Sequence, residues 1–407
     1  MAQAALAFAP EFGAEPSAAG HALQPAGAPT TAFERSGWDI GRDHARYGLT
    51  PPADQMLFGH PVRQGWDAGQ PAFRRRTRPA TPAVRQWLAL RLQAWLRGAA
   101  FEDLQVTPNL LRQITVSHCP VTGERLTQHT GHASDGVIEH LNPQAAYAAG
   151  NLAMISRRAQ AARAGRDAQA ALLTAREAEA LPADDTLEGL TAAQWLRLAV
   201  LISFATPLPH AQAAALPLLM LPPNRVRVLN PVQALQVVLS LPFAGTVELP
   251  RLAPIAALVP ARARPAFHVF MTTLLARRVA GGHPWDAAAM KAAMLAAWTD
   301  PLVQRRWQRL SLELTTAEAD AVIHGATRAG LDGTPWRDTS FAQATEGWGL
   351  PVPQPVTAVA VGRAVPASRA GLIAVPGVER RASGGSRVRV GVASATVAGK
   401  GLGRRAA

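Results

Sequence analysis

Between Gly136 and Arg163 the chain sets two short apolar runs on either side of a break, then a capped helical run. Gly136-Val137-Ile138-Glu139-His140-Leu141 has strand composition, and Asn142-Pro143 interrupts it. A loop through Tyr147 to Gly150 leads to a second strand-like run, Asn151-Leu152-Ala153-Met154-Ile155. Ser156 then stands where a helix cap belongs. Strand, loop, strand and helix within about thirty residues is a ββα unit, too small to bury enough surface by itself. The rest of the chain must supply its walls.

The helix after Ser156 is predicted to run through RRAQAARAGRDAQAALLTAREAEA, weakened but not stopped by Gly165. Upstream, Thr81-Pro82 opens a helix over AVRQWLALRLQAWLRG with Gly98 as its stop. Val84, Trp87, Leu88, Leu92, Trp95 and Leu96 form its apolar stripe, while Arg85, Arg91 and Arg97 keep part of it wet. Downstream, TAAQWLRLAVLISF, NPVQALQVVLSL, AFHVFMTTLLARRVA and WDAAAMKAAMLAAW all read as helices punctuated by Pro or Gly. Trp195, Trp285, Trp298 and Trp307 fall in those apolar patterns and are expected in a core.

The chain has 41 Lys+Arg against 28 Asp+Glu, a formal charge of +13. From Pro351 to Ala407 nine basic residues stand against one acid, Glu379, so that segment carries +8 of the total. Such a tail favours any polyanion through counterion release and conveys no sequence preference. A second basic run, Arg74-Arg75-Arg76-Thr77-Arg78, reads either as a solvated face or as a phosphate contact. Cys119 has no partner cysteine, consistent with a reducing compartment. The first residues lack a signal-peptide pattern, and the long uncharged run from Leu198 to Asn224 is broken by prolines. The expectation is a cytoplasmic protein with no membrane span.

In its ordered details the segment His118–Arg163 resembles the HNH (ββα-metal) endonuclease family, in a phage-type variant with a degenerate zinc knuckle. Glu139-His140 stands where the family carries an acid followed by His. Ala146-Tyr147 and Gly150-Asn151 match a turn followed by Gly-Asn, Gln160 takes the place of the closing Asn or His, and Arg163 that of a basic residue after it. The resemblance covers about 45 of the 407 residues. It implies His140 as general base, Asn151 as the residue orienting loop and base, and Glu139 and Gln160 as ligands of a divalent metal, Mg²⁺ or Mn²⁺. Arg157, Arg158 and Arg163 would then steady a DNA backbone. These residue types suit the chemistry: a neutral imidazole can take a proton from water near pH 7. A divalent cation relieves charge at the phosphate.

The chain departs from the family in three respects. Glu139 and Gln160 are each one methylene longer than the residues they replace, and displacements near 1 Å can cost a site about 100-fold. Adjacent strand residues also point to opposite faces, so Glu139 and His140 share a site only if the strand ends or bulges. The two cysteine pairs of zinc-binding relatives fall on Cys119 with Thr122 and on Ser156 with Ala159, so a structural zinc is not expected there. A rival zinc set of His118, Cys119, His129 and His132 meets no standard spacing. His140 is open to a plainly structural reading. His210, His268, His283 and His324 have no evident partners and read as structural.

The sequence thus predicts an α+β chain, a small ββα-metal (HNH-like) unit embedded in a mainly α-helical protein with disordered termini. The expected parts are a poorly ordered N-terminal extension (1–80), an HNH-like unit with flanking helices (81–180), an all-helical domain (190–345) and a basic disordered tail (346–407). The expected function is metal-dependent DNA cleavage with His140 as base. The alternatives are a non-catalytic nucleic-acid-binding protein on the same frame and a helical interaction protein.

Overall fold

The computed structural model describes residues 31–182, 184–244, 252–280, 286–329 and 341–350. Among these the protein is mainly helical, with one small two-stranded antiparallel sheet. The expectations for the tail beyond 350, and for His283 and Trp285, fall outside the described residues.

Of the segment 1–80 expected to be poorly ordered, residues 1–30 lie outside the described residues, and 31–80 instead hold two helices, α1 (Ala32–Arg46) and α2 (Pro61–Phe73). Thr31 and Glu34 form a reciprocal capping box at the start of α1. The helices carry the same heptapeptide pattern, Arg-x-Gly-Trp-Asp-x-Gly, at 35–41 and 63–69. Its glycines are the contact surface. A Cβ on Gly41 would lie 1.8 Å from the Val62 carbonyl oxygen, and one on Gly65 equally close to that of Trp38. The absence of side chains lets the two backbones touch, which composition alone conceals.

Helix α3 (Pro82–Leu96) is capped by Thr81 as expected, and Gly98 beyond it takes a positive φ of 63°. Two details differ. Leu96 is 55% exposed rather than part of the buried stripe. Arg91 is buried, not wet, because Asp43 at 2.6 Å and Asp103 at 3.1 Å neutralise it beside the Trp87 ring.

After α4 (Pro108–Ile114), strand β1 (Gly136–His140) pairs with β2 (Leu152–Ser156) in regular register, Glu139 opposite Ala153 and His140 opposite Leu152. Helix α5 (Arg157–Arg163) follows directly, Ser156 accepting the Ala159 amide. The long helix predicted here is in fact two. Ala164 and Gly165 both adopt positive φ and end α5, and Asp167 caps a new helix, α6 (Ala168–Ala178). The stop comes from two consecutive left-handed residues, not from glycine propensity alone.

The unit's walls are α3 and α4 on one side and the helical layer beginning with α7 (Ala192–Phe204) on the other. α8 (His210–Ala215) and α9 (Pro231–Ala244) follow. Then come α10 (Leu252–Leu258), α11 (Arg264–Ala280), α12 (Ala287–Ala297), α13 (Pro301–Leu312) and α14 (Thr316–Arg328). Trp195, Trp298 and Trp307 sit buried in their core. Asn230, Gln233 and Ser203 form a hydrogen-bonded polar network within it. No helix among the described residues is long and apolar enough to cross a membrane.

Candidate functional site

The regular register of β1 sends Glu139 and His140 to opposite sides, and no bulge reunites them. Glu139 meets α5. Gln160 Nε2 donates to its Oε2 at 2.7 Å and the Arg163 guanidinium to its Oε1 at 2.6 Å. Gln160 and Arg163 are three apart on one helical face, so one carboxylate is clamped from two successive positions.

Arg163, expected to reach a nucleic-acid backbone, is instead 1% exposed. Its guanidinium donates to the His140 carbonyl as well as to Glu139, to the Leu141 carbonyl at 2.6 Å and, through Nε, to the Arg166 carbonyl at 3.1 Å. Burial draws its pKa below the usual arginine value, opposed by the charge of Glu139. A buried guanidinium with this many acceptors joins the end of β1 to α5 as a fixed brace.

This arrangement does not fit a divalent cation held by Glu139 and Gln160. Both carboxylate oxygens accept hydrogen bonds, the amide presents its nitrogen to the carboxylate, and a positive guanidinium already balances the charge. Among the described residues no cluster of three or more His, Cys, Asp or Glu side chains could hold a metal, the rival set at His118, Cys119, His129 and His132 included.

His140 turns to the loop. Its Nε2 lies 2.5 Å from the Ala145 carbonyl oxygen, and its ring stacks on Tyr147 at 4.3 Å. A carbonyl only accepts, so Nε2 carries the proton and Nδ1 holds a lone pair. Burial lowers its pKa to about 4 against the opposing Ala145 bond, and the ring is neutral at pH 7. Tyr147 stacks in turn against Phe101, and the Arg97 guanidinium donates to its hydroxyl at 2.9 Å.

Asn151 is fully buried and braces the loop. Its Oδ1 accepts the Asn142 amide at 2.8 Å, and its Nδ2 donates to the carbonyls of Asn142 and Ala146. Gly150 before it has φ of 94°, and a Cβ there would strike the Arg227 side chain. Two later segments close over the loop. The Arg227 amide donates to the Gly150 carbonyl, and the Trp348 carbonyl accepts the Ala146 amide at 2.8 Å. The buried Trp348 indole donates to the Ala149 carbonyl at 3.0 Å. No short-range pattern in the sequence announces Trp348, which acts 199 residues from its partner.

The four positions aligned with the cysteine pairs do adjoin. Cys119 Sγ accepts the amides of Ser156 at 3.3 Å and Thr122 at 3.5 Å, and Ser156 Oγ accepts that of Ala159. Hydrogen bonds hold the knuckle turn to the start of α5. Nearby, the buried carboxylate of Asp135 accepts from Thr127, Thr130 and the Gly131 amide, bonds that hold its pKa far below the ordinary carboxylate range.

The two remaining arginines of α5 are also paired, Arg157 with Asp135 at 3.7 Å and Arg158 with Glu124 at 3.2 Å. By contrast Arg74, Arg75, Arg76 and Arg78, on the connection after α2, are all exposed and make no ion pair among the described residues. The backbone beneath them is fixed, with the Arg76 amide on the Phe73 carbonyl at 2.7 Å and the Arg78 amide on that of Arg46 at 2.9 Å. No protein-family model, curated protein or solved structure matches the chain.

Proposed function

We propose that the chain is a nucleic-acid-binding protein in which the HNH-like ββα unit is a frame, and that Arg74, Arg75, Arg76 and Arg78 contact phosphates. The observation that carries this reading is the contrast in pairing. Each arginine of α5 already faces an acid, whereas these four are exposed and make no ion pair among the described residues. Unpaired guanidinium groups release phosphate counterions on binding and give up no internal ion pair.

Fluorescence anisotropy with a labelled duplex and a single strand, over a salt series, tests the reading on the full chain. Changing all four arginines to Gln is expected to flatten the slope of log K against log salt by about 3 to 4. Arg157→Gln with Arg158→Gln is expected to leave it nearly unchanged. An unaltered slope in the fourfold variant would refute the assignment.

One observation favours a second reading, an HNH-type endonuclease. His140 is neutral at pH 7, the state in which an imidazole can accept a proton, although a pKa of about 4 makes it a weak base there. Plasmid nicking with Mg²⁺, Mn²⁺ or EDTA separates the two. Metal-dependent nicking that His140→Ala abolishes would establish the enzyme and overturn the frame reading.

A further inference from the structure

The connection between α1 and α2 ends in a turn that presents apolar side chains to water. Phe58 is 96% exposed and Leu57 65%. The turn is nonetheless held firmly from beneath. The Met56 amide donates to the Ala53 carbonyl at 2.9 Å and the His60 amide to that of Leu57 at 3.1 Å. The Arg63 guanidinium donates to the Met56 carbonyl at 3.0 Å and the Gln64 amide group to that of Gly59 at 3.3 Å. An exposed phenylalanine on a pre-formed backbone is costly in water and inexpensive to dock, because little ordering remains to be done.

The same connection also lines a hollow, through Leu49, Thr50 and Pro52. A groove of about 570 Å³ runs along α3, lined by Leu49, Leu88, Leu92 and Leu96 with Arg85 and Arg97 at its rim. Pro52 on the groove wall is six residues before Phe58, and His60 after the turn packs edge-on against Trp95 of α3 at 5.5 Å. The two parts also carry opposite charges. Asp54, just before the turn, and Arg85, on the groove, are both exposed and neither makes an ion pair among the described residues.

We infer that this face is a homodimer interface, in which the Leu57–Phe58 turn of each copy enters the α3 groove of the other and Asp54 meets Arg85 across it. An apolar protrusion and an apolar hollow carried by one connection, with an acid beside the first and a base on the second, are the elements of a two-fold, self-complementary contact. Phe58 is the central anchor, with Leu57 beside it and the charged pair at the rim. The inference is independent of the nucleic-acid reading, since none of the arginines assigned there takes part.

Analytical ultracentrifugation of the full chain, without nucleic acid, tests it. Wild type is expected at twice the 43.0 kDa chain mass. Phe58→Asp from the turn side and Leu96→Asp from the groove side are each expected to raise the dimer Kd by at least about 30-fold. Both residues are solvent-exposed in the single chain, so the far-ultraviolet spectrum of each variant should match wild type. The charge exchange Asp54→Arg with Arg85→Glu should dimerise better than either single change. A monomeric wild type overturns the inference, and so does a dimer that persists in either variant.

Discussion

The Glu139 carboxylate and the Arg163 guanidinium meet at 2.6 Å inside the ββα unit, with Arg163 bound also to the carbonyls of His140 and Leu141. The pair occupies the ground where the family resemblance implies a metal.

Removing one partner therefore strands the other. Arg163→Ala leaves a buried carboxylate and carbonyls without donors, and urea unfolding should show a loss of about 3–5 kcal/mol. Replacing both partners, with Glu139→Gln and Arg163→Met, should cost less than Arg163→Ala alone. A double variant as unstable as the sum of its singles would show that the pair is not coupled.

His140 makes stability depend on pH. Its folded pKa of about 4 lies below the unfolded value near 6.5, so the unfolded chain binds the extra proton between them. The contribution is complete above pH 6.5 and is lost as pH falls towards 4. Between pH 7 and about pH 4.5 it amounts to roughly 2–3 kcal/mol. His140→Gln should show a shallower fall over that window in unfolding experiments. Equal falls in both proteins would contradict the buried neutral ring.

The glycine contact between α1 and α2 should tolerate no methyl group. At Gly65 the added carbon would meet the Trp38 backbone, which cannot rotate away. Gly65→Ala is expected to cost roughly 3 kcal/mol or more. Gly325→Ala is the contrast, because there the carbon meets only the tip of the Leu258 side chain. Its clash is partly offset by about 1 kcal/mol of helix propensity, and the net change should stay within about 1 kcal/mol. Comparable losses at both positions would remove the distinction between backbone and side-chain obstruction.

How far the sequence could be read follows the range of the interactions. The Ser156 cap and the bracing role of Asn151 depend on neighbours within about ten residues, and β1 and β2 each show in their own residue composition, so local pattern reaches them. Arg163 reads as outward-facing because basic residues usually are, while its burial depends on Glu139, 24 residues earlier. The α1–α2 pair is hard to see in the sequence because its signal is spacing, four glycines in two matched heptapeptides, within a stretch whose composition suggests disorder. The exposed Phe58 carried no signal at all, since exposure is a property of the assembled surface.

Trp348 sets a timetable for the ββα unit. Its main-chain carbonyl and its indole supply partners for Ala146 and Ala149, yet it lies 199 residues beyond the latter. At synthesis rates of about 5–20 residues per second, the loop waits roughly 10–40 seconds on the ribosome for those bonds. Through that interval the Ala146 amide and the Ala149 carbonyl lack the partners they have in the finished fold. The last described segment of the chain thus completes a motif that was spelled out long before it.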